Sequence, residues 1–339
     1  MNPLAEIQLE DGAVVATGWL DDPAGRQAGQ AELVANGHDL SLSRAAPHLF
    51  GEPEPEKSVF LWEAEEAVVG RLLGVWNQNP IGSCVGFGST RAAQDVLFNE
   101  IAAGEPEEWP GAELCPEVTY VGSRNEAWPQ NYRPIPARED GSVGAAAANW
   151  FTRFGAVKRG VYGGVDLTRY SREWTRANQG RGVPSEVEAE GKLHPITTAA
   201  LLRTFDDFWA AMGARKGVYF CSVMGFRDAA DSDGFAVPSG RWGHCQVARG
   251  RAVVRKRGAW VRAAIGQNSW LTADGGRVIH PSNGPVSIET KDRGRVTLPP
   301  GCVAYEEDVF AEMLTERDSF ALAGLTGWRK LTLNWNPLA

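Results

Sequence analysis

The sequence predicts an α+β fold with two lobes: a helical lobe built on a central helix that starts at a cysteine, packed against an antiparallel β lobe. Three observations predict it. The stretch Cys84 to Ala103 reads as one long helix: Ser83 is a good N-cap residue type, Val85, Ala93, Val96, Leu97 and Ile101 share a face, and Gly104 stops it. The order of elements is helices first and strands later, with short β-branched and aromatic runs dominating the second half. Finally, 339 residues at 43% hydrophobic and 22% charged suffice for one large domain or two lobes.

Residues 1–58 read as a separate N-terminal arm. Ala13 to Leu20 is a short strand, Asp21-Asp22-Pro23-Ala24-Gly25 is turn chemistry, and Ala31 to Leu42 holds a short helix or strand. Gly51 to Lys57 is an acidic, Pro-rich linker. The body, 59–339, begins near Phe60, with Leu61, Val68, Val69, Leu72 and Leu73 turned inward. The helical lobe covers about 77–160. After the central helix, Pro116 to Val121 starts a short helix with Pro in its first turn, and Val143 to Phe154 is a buried helix closed by Gly155. Tyr162 to Pro195 has little periodicity and reads as a long surface connection.

The β lobe covers about 197–328. Thr198 to Arg215 is an amphipathic helix by its pattern, with Leu201, Leu202, Phe205, Phe208, Trp209 and Met212 on one side. Val218 to Val223 is a buried strand, and 245–248, 252–254 and 259–265 form an antiparallel meander. Shorter strands follow at 278–279, 286–288 and 296–298. Glu307 to Thr315 is a helix and Ser319 to Leu325 a final strand. Gly86 and Gly88 cost helix propensity inside the central helix, which close approach of a neighbouring element explains.

A net charge of -8 gives no electrostatic footprint for nucleic acid or an anionic membrane. No apolar run reaches membrane-spanning length, and the first residues show no signal peptide, so a cytoplasmic location is expected, with a virion as the alternative. The cysteines, Cys84, Cys115, Cys221, Cys245 and Cys302, are odd in number and widely spaced. They read as reduced thiols, with no CxxC pair to build a zinc site. Arg227 to Gly234 carries Asp228, Asp231 and Asp233 but lacks the downstream Glu of a calcium loop, and reads as surface. Arg249 to Arg262 is rich in Arg and Lys and reads as a solvated hairpin.

The chemistry gathers on a few residues. Cys84 opens a helix, where free N–H groups and the dipole favour a thiolate. Gln78, six residues earlier, carries an amide able to stabilise an oxyanion near that thiol. Of the five histidines, His244 alone lies between a Gly-rich turn and a strand, and Asn268-Ser269-Trp270 follows it.

The run from Gln78 through Gly82-Ser83-Cys84 to Phe87, then His244 and Asn268-Ser269-Trp270, resembles the papain-like cysteine peptidases. Ile81 stands where many secreted members have a disulfide Cys, which suggests a disulfide-free bacterial or phage-type version, and Val85 stands where they have Trp. The resemblance implies that Cys84 is the nucleophile, His244 the acid and base, Asn268 the group orienting the imidazole, and Gln78 an oxyanion donor. Trp270 shields the His–Asn bond, and Gly141 pairs with substrate backbone. Gln267 takes the place of a common Lys, as surface variation. The implied activity is thiol-dependent hydrolysis of peptides or proteins, with no metal or cofactor required. Two other readings stay open: an idle papain-like component of a larger assembly that meets a protein partner through the arm, and a Cys-His hydrolase of cell-wall peptides.

Overall fold

The computed structural model describes residues 6–9, 14–41, 56–272 and 274–328. Ala13, Leu42, His48 and most of the Pro-rich linker lie outside them. Two buried cores lie against a shared sheet, one on the helical side and one on the side of the C-terminal strands. This is the α+β, two-lobe layout that the residue pattern predicts.

The central helix, α3 (Cys84–Ala102), is buried along nearly its whole length. Its glycines are contact points. A Cβ on Gly86 would lie 2.6 Å from the Pro116 carbonyl and the Tyr120 Cβ, and one on Gly88 would lie 3.1 Å from Cys245 Sγ. Two positions apart is about 200° of helix, so one helix meets a neighbour on opposite sides. Those neighbours are α4 (Pro116–Arg124) and strand β8 (Pro238–Lys256). Gly104 follows with φ +86°, as its stop role requires.

Around α3 the helical lobe adds α2 (Trp62–Val69) and α5 (Gly144–Arg153), the latter closed by Gly155 at φ +76°. The 162–195 stretch is more ordered than its composition suggests. It holds part of a β4–β5 hairpin (Val161–Tyr162, Val165–Asp166), then α6 (Arg172–Asn178) and α7 (Ser185–Gly191). Ser171 caps α6, accepting from the Trp174 N–H.

The β lobe is one antiparallel sheet in which β10 (Ser287–Thr290) and β11 (Gly294–Thr297) lead through β8 and β7 (Gly217–Phe226) to β13 (Ser319–Leu325) and β6 (Ile196–Leu202). Strand β9 (Ala259–Gln267) joins β8 to β12 (Cys302–Glu306), and β3 (Val59–Phe60) also pairs with β8. Two expectations need correction. The apparent helix at 198–215 is strand β6 followed by α8 (Phe205–Gly213), because Thr204 and Asp207 cap each other and start the helix there. The separate strands at 245–248 and 252–254 are one strand, which absorbs its irregularity as a register shift between Ala248 and Gly250. Helix α9 (Glu307–Leu314) matches its expected span closely.

The basic hairpin is not simply solvated. Arg249 and Arg251 are each 1% exposed. Arg249 pairs with Glu65 at 2.5 Å and with Asp95 at 3.0 Å, and Arg251 donates to the Trp209 carbonyl. Arg262 meets Asp206 and Glu307, and Lys256 meets Glu306.

The N-terminal arm packs on the body. Strand β1 (Glu6–Gln8) pairs with β2 (Val14–Ala16), and α1 (Pro23–Ala35) follows. The expected turn at 21–25 is the start of α1: Asp22 caps it, with Pro23 at the first helical position. A Cβ on Gly29 of α1 would lie 2.9 Å from Ala145 Cβ, so the helix seats closely on α5. Between β2 and α1 the chain runs extended from Thr17 to Leu20.

Candidate active site

Cys84 is the first residue of α3 and is fully buried. Ser83 does not cap the helix through its side chain; its hydroxyl turns back to the Ile81 carbonyl. The backbone N–H groups of Val85, Gly18 and Cys245 face the Cys84 sulfur. They favour a thiolate, yet burial and the neighbouring Cys245 thiol outweigh them and push the Cys84 thiol up. The low-pKa thiolate expected from the helix terminus is therefore absent from this arrangement. With water excluded, the dipole and three N–H groups do not repay the desolvation of a charged sulfur.

His244 lies in β8, one residue before Cys245. Its Nε2 is 2.9 Å from Asn268 Oδ1. The Ser269 N–H donates to the same Oδ1 at 2.7 Å, which identifies that atom as the acceptor. Nε2 therefore carries the proton, and Nδ1 keeps its lone pair. Nδ1 is buried and has no hydrogen-bond partner among the described residues. Trp270, fully buried, stacks on the imidazole with centroids 4.1 Å apart. Burial lowers His244 to about 3, against the bond from Asn268, which raises it. In this arrangement the thiol and the imidazole are both neutral.

Gln78 sits in a loop clamped to the segment after β9. Its N–H donates to the Ser269 carbonyl, and the Asn77 and Asn79 amides reach the Thr272 and Leu271 carbonyls. The Ser269 hydroxyl donates to Gln78 Oε1 at 2.6 Å, which points Nε2 the other way. That Nε2 donates to the Ala16 carbonyl at 2.9 Å, and Trp270 Nε1 donates to the same oxygen at 3.1 Å. Ser269, which lies between two residues that the sequence singles out, thus fixes the orientation of the Gln78 amide.

The arm runs through this site. Gly18 and Trp19 donate their N–H groups to the Gly243 carbonyl. Ser142 pairs with the arm in parallel, donating to the Gly18 carbonyl and accepting from the Leu20 N–H, both at 2.9 Å. Ser142, one position beyond Gly141, is therefore the residue that pairs with the arm. The Gly141 N–H is spent on the Tyr120 hydroxyl and its carbonyl on Arg124. A Cβ on Gly18 would lie 1.8 Å from the Gly82 carbonyl, so only glycine passes here.

The Trp19 indole is buried and donates to Asp318 Oδ2 at 2.7 Å. Asp318 also accepts from Gly144 and Ala145, the first N–H groups of α5. Burial raises it to about 6. Neither Trp19 nor Asp318 stood out in the sequence, since each acts through a partner far along the chain. Gln267 is also not surface variation: it is buried, accepting from Arg249 and donating to the Pro300 carbonyl. The acidic loop needs no ligand to hold its turn, because Asp231 accepts from the N–H groups of Asp233 and Phe235.

No family model matches the chain, and no curated protein does. Among solved structures it is similar to xylellain, a cysteine protease from Xylella fastidiosa, at 13% identity and a TM-score of 0.49, over 82% of this chain and 89% of that one. It is also similar to the ragweed pollen cysteine protease Amb a 11 in its proform, at 13% identity and a TM-score of 0.49, over 89% and 74%. Procathepsin B from Trypanosoma congolense aligns at 7% identity and a TM-score of 0.48, over 81% and 79%.

Proposed function

We propose that this chain is a papain-type cysteine peptidase at rest, its cleft filled by its own N-terminal arm. One observation carries the reading. A peptide lies across the site with the Ala16 carbonyl on Gln78 Nε2 and the Gly18 and Trp19 N–H groups on the carbonyl of Gly243, the residue before His244. The groups that would read a substrate's backbone are reading the arm's.

With the arm displaced, water returns and the burial that holds both groups neutral is relieved. The Cys84 proton passes to His244 Nδ1, the nitrogen left free by the bond to Asn268. The thiolate attacks the peptide carbonyl carbon, and Gln78 Nε2 with the N–H at the start of α3 stabilises the oxyanion. His244 gives its proton to the leaving amine. Water, deprotonated by His244, then hydrolyses the thioester and returns Cys84. Asn268 holds the imidazole through Nε2 throughout, and Trp270 keeps water from that bond.

The test uses the full chain with the arm loosened by Gly18→Ala, with and without Cys84→Ala, on casein under reducing conditions. Cleavage by the first protein and none by the second is expected. Equal cleavage by both, or none by either, ends the reading.

A further inference from the structure

The proposed peptidase chemistry leaves two buried thiols beside the nucleophile unused. Cys245 follows His244 on β8, and Cys221 on β7 is its direct cross-strand partner. Such partners bring Cβ atoms to within about 5.5 Å of each other. The Cys245 side chain also points at α3: a Cβ on Gly88 would lie 3.1 Å from its sulfur. Gly88 is four residues, about one helical turn, beyond Cys84, so both side chains enter the same α3–β8 interface. The Cys245 N–H itself faces the Cys84 sulfur. All three thiols belong to one core, and none is bonded to another.

Alanine or valine would fill this space as well. What three sulfurs add is a route for thiol exchange next to a nucleophile that becomes reactive when the arm leaves. A reactive thiolate without a neighbour oxidises in steps to the irreversible sulfinic and sulfonic acids. One with a resolving thiol in reach stops at a disulfide, which a dithiol reverses.

We propose that Cys245 is the resolving thiol for Cys84, so that hydroperoxides convert the nucleophile to a reversible Cys84–Cys245 disulfide. The Cys84 thiolate takes the terminal oxygen of the hydroperoxide. The O–O bond breaks, and water or an alcohol leaves with a proton. The Cys245 sulfur then attacks the Cys84 sulfur, the S–O bond breaks, and the departing hydroxide takes the Cys245 proton as water. Two electrons have passed from the two sulfurs to the peroxide. An added dithiol returns them.

The experiment treats the full chain carrying Gly18→Ala with hydrogen peroxide, alkylates the remaining thiols and maps the peptides by mass. The expected product is the linked pair of Cys84 and Cys245 peptides, lighter than the two reduced peptides together by about 2 Da and separated by dithiothreitol. With Cys245→Ala or Cys245→Ser, Cys84 instead gains about 32 Da as sulfinic acid and is not recovered by dithiothreitol. With Cys221→Ala the linked pair persists. The map of the protein with both cysteines intact decides the matter without either variant. Sulfinic acid at Cys84 with no linked pair, a bond between Cys221 and Cys245 alone, or a Cys84 that peroxide never touches would each overturn the assignment. Peptidase activity is not read, so the result stands apart from the fate of that reading.

Discussion

The imidazole of His244 donates through Nε2 to Asn268, lies under Trp270, and has no described partner on Nδ1. Its proton affinity follows from that enclosure. An unfolded chain protonates this residue below its ordinary 6.5, whereas the folded chain resists until about 3. Between those values the unfolded state holds one more proton. The stability that neutral His244 contributes is thus complete above 6.5 and lost as pH falls toward 3. Glutamine at this position still donates to Asn268 and does not titrate. Between pH 6.5 and about 5, wild type should lose about 2 kcal/mol of unfolding free energy relative to His244→Gln, measured by urea titration at each pH. Parallel pH curves for the two proteins would mean that His244 is not shielded as described. His280, also lowered by burial to about 4, is common to both proteins and cancels from the difference.

Beyond the strands that carry His244 and Asn268, the element that matters most is the extended run from Ala16 to Leu20. It is held by backbone bonds to Ser142 and Gly243, by the Gln78 and Trp270 donors, and by the Trp19 indole on Asp318. Its tightest point is Gly18 against the Gly82 carbonyl. Gly18→Ala adds one carbon on the arm and alters nothing in the body. The arm should shift out of the cleft, and iodoacetamide should label Cys84 at least ~10-fold faster, the effect of tilting the open–closed balance by about 1.4 kcal/mol. An unchanged labelling rate would show that the arm does not control access to the sulfur. Among the elements, α3, α9 and β13 were legible because each carries its own pattern and stops. The arm's course was not, because an extended peptide bound by backbone bonds leaves little mark on side-chain periodicity. Strand β6 was misread because Leu201, Leu202, Phe205, Phe208 and Trp209 suit a helical face and a strand–turn–helix alike.

Across the whole molecule, the two lobes are pinned by a buried charge cluster. Glu65 of α2 accepts from Arg91 of α3 at 2.7 Å and from Arg249 of β8 at 2.5 Å, while Arg249 also meets Asp95 of α3. Glu65 and Asp95 are fully buried. Removing one partner strands the others without water, so Glu65→Ala should lower the unfolding free energy by about 3–5 kcal/mol with the urea slope unchanged. A loss below about 1 kcal/mol would show that the cluster is hydrated or dispensable. Gln267 closes the same cluster onto the strand that leads to Asn268, which couples the packing of the lobes to the place where the imidazole is held. By itself the sequence determined the lobe order and the helix that begins at Cys84, because local pattern specifies those, and residue chemistry singled out Cys84, His244, Asn268 and Gln78 as candidates. Only the tertiary structure decided that the Cys84 thiol is buried, that Ser142 pairs with the arm, that Arg249 is buried, and that the run from Ala16 to Leu20 lies against Gln78, Ser142 and Gly243. Those outcomes depend on desolvation and on contacts between segments far apart in the chain, and burial is a property of the assembled fold.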